Sequence, residues 1–151
     1  MRWLKTFSLL LFFLGLNAEA AAGKILKVLP HYLDQQGRHT LSPSLYERDA
    51  YQAHLRKTPS ERSALRFDIQ WKAKFADANK LKLRVELRTS QGRANQAHVR
   101  EQPARSNRWL SHWSSVTWGG EDFKQAGEII AWRATLWEAD QLLSEQKSFL
   151  W

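Results

Sequence analysis

The residue types that most often carry out chemistry are either missing from this chain or lack the spacing that chemistry needs. None of the 151 residues is a cysteine, which excludes disulfides, zinc–thiolate sites and a cysteine nucleophile. The five histidines form neither His-x-x-x-His nor His-Glu-x-x-His, the spacings that put two metal ligands on one helix face. A Gly-x-Ser-x-Gly elbow and a phosphate-binding glycine loop are also missing. We therefore predict no catalytic residues, no metal site and no cofactor, and we expect a protein that is not an enzyme.

Aromatic side chains offer a different chemistry, the binding of a ligand or of a partner surface. The chain has eight tryptophans, and Trp109 and Trp113 are spaced to share one face of a strand. The other residues on that face are polar: Ser111, Ser115 and Thr117. Indole rings stack on sugar rings and are enriched in binding hot spots. Trp109 and Trp113 are therefore candidate binding residues, with packing in the protein core as the alternative interpretation.

A second candidate binding surface is basic. The chain has 23 Lys+Arg against 15 Asp+Glu, a net charge of +8. Five cations on the wet face of one predicted hairpin are candidate binding residues: Lys72, Lys74, Lys82, Arg84 and Arg88. A basic face attracts anionic partners, whereas the alternative is a solvated face whose lysines discourage edge-to-edge pairing. The longest basic run has two residues, so we expect no nucleic-acid partner.

Alternation of apolar and polar residues predicts the strands that position these side chains. Residues 65–75 and 81–89 alternate with period two, and the short polar segment between them predicts a β-hairpin with one buried face. Five further strands are predicted at residues 25–33, 96–100, 109–118, 128–137 and 142–150. Pro30 suggests an edge position or a bend in the first of them, and the segment 96–100 is expected at a sheet edge.

One helix is predicted near residues 44–57. Ser44 and Glu47 match a capping box, and Pro59 ends the helical pattern. Tyr51 and Leu55 lie four residues apart, so both are expected to dock on the sheet. These elements predict a mainly all-β fold, an antiparallel β-sandwich of about seven strands with one inserted α-helix.

Part of the chain resembles immunoglobulin-like and fibronectin-like domains. The resemblance covers about the last forty residues and is carried by a last hairpin and the run before it, Gly127-Glu128-Ile129-Ile130-Ala131-Trp132-Arg133. That run is similar to the penultimate strand of such domains, although the cysteine pair is absent and Ile129 stands at about the position of their corner tyrosine. The resemblance implies an immunoglobulin-like sandwich and says nothing about function.

Residues 1–22 have the three parts of a secretory signal peptide. Arg2 and Lys5 precede an apolar run of eleven residues, which is shorter than the about 20 that a spanning helix needs. Cleavage is expected after Ala20 or Ala22, and cleavage after Ala22 leaves residues 23–151 as a single domain without a transmembrane segment. Because the chain has neither cysteine nor an Asn-x-Ser/Thr acceptor, we expect a bacterial protein that is periplasmic or secreted.

Together these features predict a non-catalytic interaction or structural module of the bacterial envelope. Its expected partner is anionic and is bound through the basic sheet face: an acidic protein surface, an envelope polymer such as a polysaccharide, or a lipid headgroup. A carbohydrate-binding module that uses exposed tryptophans is the alternative. A third possibility is an enzyme whose site is assembled only in three dimensions.

Overall fold

Two antiparallel β-sheets pack with their apolar faces against each other. A computed structural model describes residues 22–74, 77–91, 96–105 and 110–151. The elements in chain order are β1 (Ala22–Asp34), α1 (Leu45–Lys57), β2 (Arg62–Lys74), β3 (Leu81–Thr89), β4 (His98–Pro103), β5 (His112–Gly119), α2 (Glu121–Gln125), β6 (Ile129–Glu138) and β7 (Gln141–Lys147). The prediction of a mainly β, antiparallel fold is confirmed.

The seven strands divide into a three-stranded sheet and a four-stranded sheet. Sheet A has the strand order β1-β2-β5, and sheet B has the order β4-β3-β6-β7. Period-two alternation turns the apolar residues of both sheets inward, where the largest fully buried side chains include Trp71, Trp118, Phe67, Ile69, Leu83 and Leu136. The two sheets meet in this core, as when the rings of Phe67 and Trp132 contact edge to face at 5.9 Å.

The predicted hairpin of β2 and β3 is wrong, because these strands belong to different sheets. β2 pairs with β1 and β5, whereas β3 pairs with β4 and β6. After β2 the chain crosses to the other sheet, and residues 75 and 76 of this connection lie outside the described residues. On arrival, the backbone N–H of Asp77 donates to Glu138 at 2.8 Å. Alternation predicts that one face of each strand is buried, but it does not say against which sheet.

The predicted helix is confirmed as α1, and its contacts fix it to the edge of sheet A. Ser44 is the N-cap, and its side chain accepts a hydrogen bond from the backbone N–H of Glu47. Leu55 is fully buried, as predicted for the docking face. The buried amide of Gln52 accepts from Tyr32 N–H at 2.8 Å and donates to the Tyr32 carbonyl at 2.9 Å. Gln52 thereby occupies part of the open edge of β1, which lies at the side of sheet A, as Pro30 suggested.

A second helix, α2, was not predicted. It has five residues and follows Gly120, whose φ of 78° lies in the region that favours glycine. Phe123 is the buried residue of α2, and Ala126, which follows the helix, is also buried. The Phe123 ring packs edge-on against Trp118, with ring centres 5.5 Å apart. A single turn with one apolar anchor has no periodicity to read in the sequence. Within the described ranges, neither helix has the length and apolar character that crossing a membrane requires.

Candidate functional site

The outer face of sheet A carries most of the cations of that sheet and one exposed aromatic ring. Cross-strand pairing places Lys24 opposite Lys72, and Lys74 opposite Ala22 at the end of the same face. The next row runs across all three strands, from Lys27 through Gln70 to Trp113. We call the surface formed by Lys24, Lys27, Lys72, Lys74 and Trp113 the lysine–tryptophan face.

A β-bulge decides that both lysines of β1 belong to this face. Lys24 and Lys27 are three residues apart, so a regular pleat would turn them to opposite sides of the sheet. The register shifts between Ile25 and Lys27, which leaves Leu26 as the extra residue. Ile25 points into the core, and both lysines are exposed on the outside. These two lysines are not predicted from the sequence, because a bulge leaves no mark in the alternation of apolar and polar residues.

Three of the four lysines of this face, Lys24, Lys27 and Lys72, have little local charge compensation among the described residues. Asp34 and Asp68 are the only acidic residues in β1, β2 and β5, which are described throughout. No carboxylate of the described residues lies within ion-pair distance of Lys24, Lys27 or Lys72. Like charges that face each other across two strands are destabilising. Lysines on an edge strand can discourage edge pairing, but Lys72 is on the central strand, where that explanation does not apply.

Trp113 is exposed on this face. Its exposed fraction is 52%, although neighbouring apolar residues of β5 such as Val116 and Trp118 are buried. Leaving about half of such a side chain in water forgoes roughly 2–3 kcal/mol of hydrophobic stabilisation. Gln70, its cross-strand neighbour, donates from Nε2 to Ser111 at 3.4 Å, which leaves the amide oxygen open to a donor. The prediction that this strand face is both aromatic and polar agrees with these positions.

An open cleft of about 530 Å³ adjoins Trp113 on the side away from Gln70. It lies where β5, at the edge of sheet A, approaches β4, at the edge of sheet B. Its lining is mostly polar: Gln102, Pro103, Arg105, Trp113, Ser114 and Ser115. The volume falls within the about 300–1,000 Å³ that is usual for small-ligand sites. Trp113 therefore stands between the lysines and this cleft.

The carboxylate of this face, Asp68, is fully occupied by its neighbours. Ser115 donates to it at 2.5 Å, the Arg66 guanidinium donates at 3.0 Å, and Nδ1 of His31 lies 3.2 Å away. Burial alone would raise the pKa of Asp68, but the contacts with His31, Ser115 and Arg66 outweigh burial and hold that pKa well below its usual range. Asp68 therefore stays ionised, and Arg66 balances its charge, so Asp68 does not neutralise the lysines.

This cluster places a serine, a histidine and an aspartate together without the order of a catalytic triad. The hydroxyl of Ser115 and the ring of His31 both contact Asp68, so the imidazole is not placed to accept the serine proton. His31 and His39 do approach, with ring centres 5.1 Å apart. Burial and the charges of Arg66 and His31 lower the pKa of His39. In the described part of the chain, no three metal-binding side chains come together.

The other predicted cations lie on the opposite surface of the protein. Lys82, Arg84 and Arg88 project from β3 on the outer face of sheet B, so they share no face with Lys72 and Lys74. The expectation of one common basic face is therefore wrong, because β2 and β3 belong to different sheets and do not form a hairpin. Glu101 pairs with Arg84 at 2.5 Å and with Lys82 at 3.7 Å.

Three arginines of sheet B stack on tryptophan rings. The Arg84 guanidinium lies 5.1 Å from the centre of the Trp137 ring. Arg88 and Arg133 both contact Trp151, at 4.2 Å and 5.1 Å. Their side chains thus have partners within the fold, which makes this face a poorer candidate for binding than the lysine–tryptophan face.

Trp109, the other predicted aromatic binding residue, lies outside the described residues, so Trp113 alone represents the pair. No protein-family model matches the chain, and neither a search of curated proteins nor a search of solved structures found a match. The function of this chain is therefore inferred from its own geometry.

Proposed function

We propose that this protein is a non-catalytic interaction module that binds an anionic partner through the lysine–tryptophan face. The observation that carries the proposal is the absence of local carboxylate partners, among the described residues, for Lys24, Lys27 and Lys72. Natural folds depart from favourable local pairing mainly at functional sites. An anionic partner would relieve the repulsion between these lysines and be attracted to them over a distance.

The proposed setting is the bacterial envelope. The support is the sequence pattern of residues 1–22, which resembles a secretory signal, and the lack of cysteine in the whole chain. In such a setting acidic protein surfaces and acidic polymers are available as anionic partners.

The proposed architecture is immunoglobulin-like. In immunoglobulin domains strands A, B and E share one sheet, and strands C, F and G share the other. In chain order, β1, β2 and β5 correspond to A, B and E, and β3, β6 and β7 correspond to C, F and G. β4 lies beside β3, in the place that strand C′ takes in variable-type domains. These correspondences support the assignment.

The proposal is tested by retention of the purified protein on immobilised poly-L-glutamate and polygalacturonate at low ionic strength. We expect the wild type to be retained and to elute with salt, because exposed charges are screened at short range. The double variant Lys27→Gln/Lys72→Gln should bind about tenfold more weakly, as expected when two exposed charge contacts are lost.

The matched control is Lys57→Gln/Lys147→Gln, which removes the same charge from exposed positions away from this face. Its retention should stay close to that of the wild type. Equal weakening of the two double variants, or a wild-type protein that neither polymer retains, would contradict the proposal.

A further inference from the structure

We propose that the anionic partner is an acidic polysaccharide, with a sugar ring stacked on Trp113 and carboxylates bound by the lysines beside it. This inference rests on the proposed function and specifies its partner. Its basis is the row Lys27–Gln70–Trp113, in which three different binding groups stand side by side on adjacent strands.

Each group in that row matches one part of a sugar acid. The exposed indole ring of Trp113 offers a flat apolar surface to the C–H face of a pyranose. The amide oxygen of Gln70 can accept a hydrogen bond from a sugar hydroxyl, because its Nε2 is already directed to Ser111. The ammonium group of Lys27 can bind a carboxylate. Adjacent strands are about 4.8 Å apart, so the row spans roughly 10 Å.

The arrangement also suits a polymer with repeated charges. Lys24 and Lys72 form a second cationic row next to the Lys27 row, about 7 Å further along the strands. On the other side of Trp113, the polar cleft with Gln102 and Arg105 lets a chain continue past the ring. An open sheet face with charges on one side of the ring and a cleft on the other leaves both ends of a polymer free to extend.

An acidic protein surface fits this site less well. Aromatic hot spots in protein interfaces are surrounded by contacts that exclude water. The described neighbours of Trp113 are Gln70 across the strand pair and the mostly polar residues of the cleft. Water would therefore reach the ring in a flat protein interface, whereas a stacked sugar is itself hydroxylated and tolerates a wet surrounding.

The test compares three probes by isothermal titration: polygalacturonate, its fully methyl-esterified form, and poly-L-glutamate. The ester keeps the sugar rings and removes the charge, whereas poly-L-glutamate keeps the charge and removes the rings. For the wild type we expect polygalacturonate to bind at least tenfold more tightly than either other probe. Trp113→Ala should lose about tenfold in affinity for polygalacturonate and less than twofold for poly-L-glutamate.

The matched control is Phe149→Ala, which truncates an aromatic side chain that is 99% exposed and lies outside the face. It should bind all three probes as the wild type does. Trp113→Phe, which keeps an aromatic ring, should recover part of the lost affinity for polygalacturonate.

The outcomes separate this inference from the proposed function. One outcome is that Trp113→Ala leaves the affinity for polygalacturonate unchanged while Lys27→Gln/Lys72→Gln lowers it. In that case the face binds anions without recognising the sugar ring, and only the inference fails. Equal binding of poly-L-glutamate and polygalacturonate would also overturn the inference, in favour of an acidic protein. Equal binding of the methyl ester would overturn the role of the lysines, and with it the proposed function.

Discussion

Two residues of the lysine–tryptophan face are held where they reduce the stability of the fold. Lys72 faces Lys24 across a strand pair, and Trp113 leaves half of its surface in water. By contrast, Trp71 and Trp118 are fully buried in the same sheet. Since sheet A buries tryptophan elsewhere, the exposure of Trp113 follows from its position on the outer face. Binding of a ligand there would account for an exposed tryptophan at that position. The sequence indicated Trp113 by its polar neighbours but did not reveal Lys27, which depends on the bulge.

Asp34 is one of the carboxylates that make the stability of the fold depend on pH in acid. Its Oδ1 accepts from the backbone N–H groups of Gln36 and Arg38, and its Oδ2 accepts from the Tyr51 hydroxyl at 2.7 Å and from the Arg38 guanidinium at 2.8 Å. Burial alone would raise the pKa of Asp34, but these hydrogen bonds outweigh it and lower the pKa from 3.8 to about 2. The folded state therefore favours the ionised carboxylate of this nearly buried side chain.

A lowered pKa means that Asp34 stabilises the fold fully above about pH 4 and loses this contribution as the pH falls towards 2. The difference amounts to about 2 kcal/mol in the free energy of unfolding. We expect Asp34→Asn to be less stable by about that amount at pH 6 and to show a smaller further loss between pH 4 and pH 2. Urea unfolding at a series of pH values measures both. Asp140→Asn, in an exposed turn, is the control, and a pH profile of Asp34→Asn parallel to that of the wild type would refute the assignment.

At the level of elements, local pattern predicts where strands and helices form and tertiary packing decides how they are arranged. Alternation, β-favouring composition and turn signals located all seven strands to within a few residues, and the signals at Ser44 and Pro59 located α1. The partners of β2 and β3 were mistaken, because a short connection serves a crossover between sheets as well as a hairpin. The bulge at Leu26 and the single-turn helix α2 are each too short to show a repeating pattern of apolar residues, so neither can be predicted from periodicity.

Gln52 is one of the side chains that attach α1 to β1, together with Tyr51, whose hydroxyl donates to Asp34. Gln52 is 4% exposed, and its amide satisfies Tyr32 N–H, the Tyr32 carbonyl and the His39 carbonyl. Gln52→Ala removes these partners from buried backbone groups, so we expect the free energy of unfolding to fall by about 2–3 kcal/mol. Urea unfolding checks this value. Gln125→Ala, at an exposed position of α2, is the control and should change the free energy of unfolding by less than about 0.5 kcal/mol. If Gln52→Ala lowers the free energy of unfolding by no more than this control does, the role given to Gln52 is contradicted.

At the scale of the whole molecule, the two outer faces of the sheets differ in how their charges are satisfied. Sheet B balances its cations with Glu86 and Glu101 and with stacking on Trp137 and Trp151. On sheet A, Lys24, Lys27 and Lys72 lack such partners among the described residues. The composition alone gives a net charge of +8 and cannot divide it between faces. The division follows from the strand order, which puts β2 and β3 in opposite sheets.

The central claim is that binding occurs on the outer face of sheet A, and chemical-shift mapping tests it most directly. In a titration of isotope-labelled protein with polygalacturonate fragments, the indole N–H of Trp113 and the backbone amides of Lys27, Gln70 and Lys72 should shift together and saturate. The indole signals of Trp137 and Trp151, on the outer face of sheet B, serve as internal controls and should remain in place. Shifts confined to Trp137, Trp151 and the amides of β3 would contradict the account.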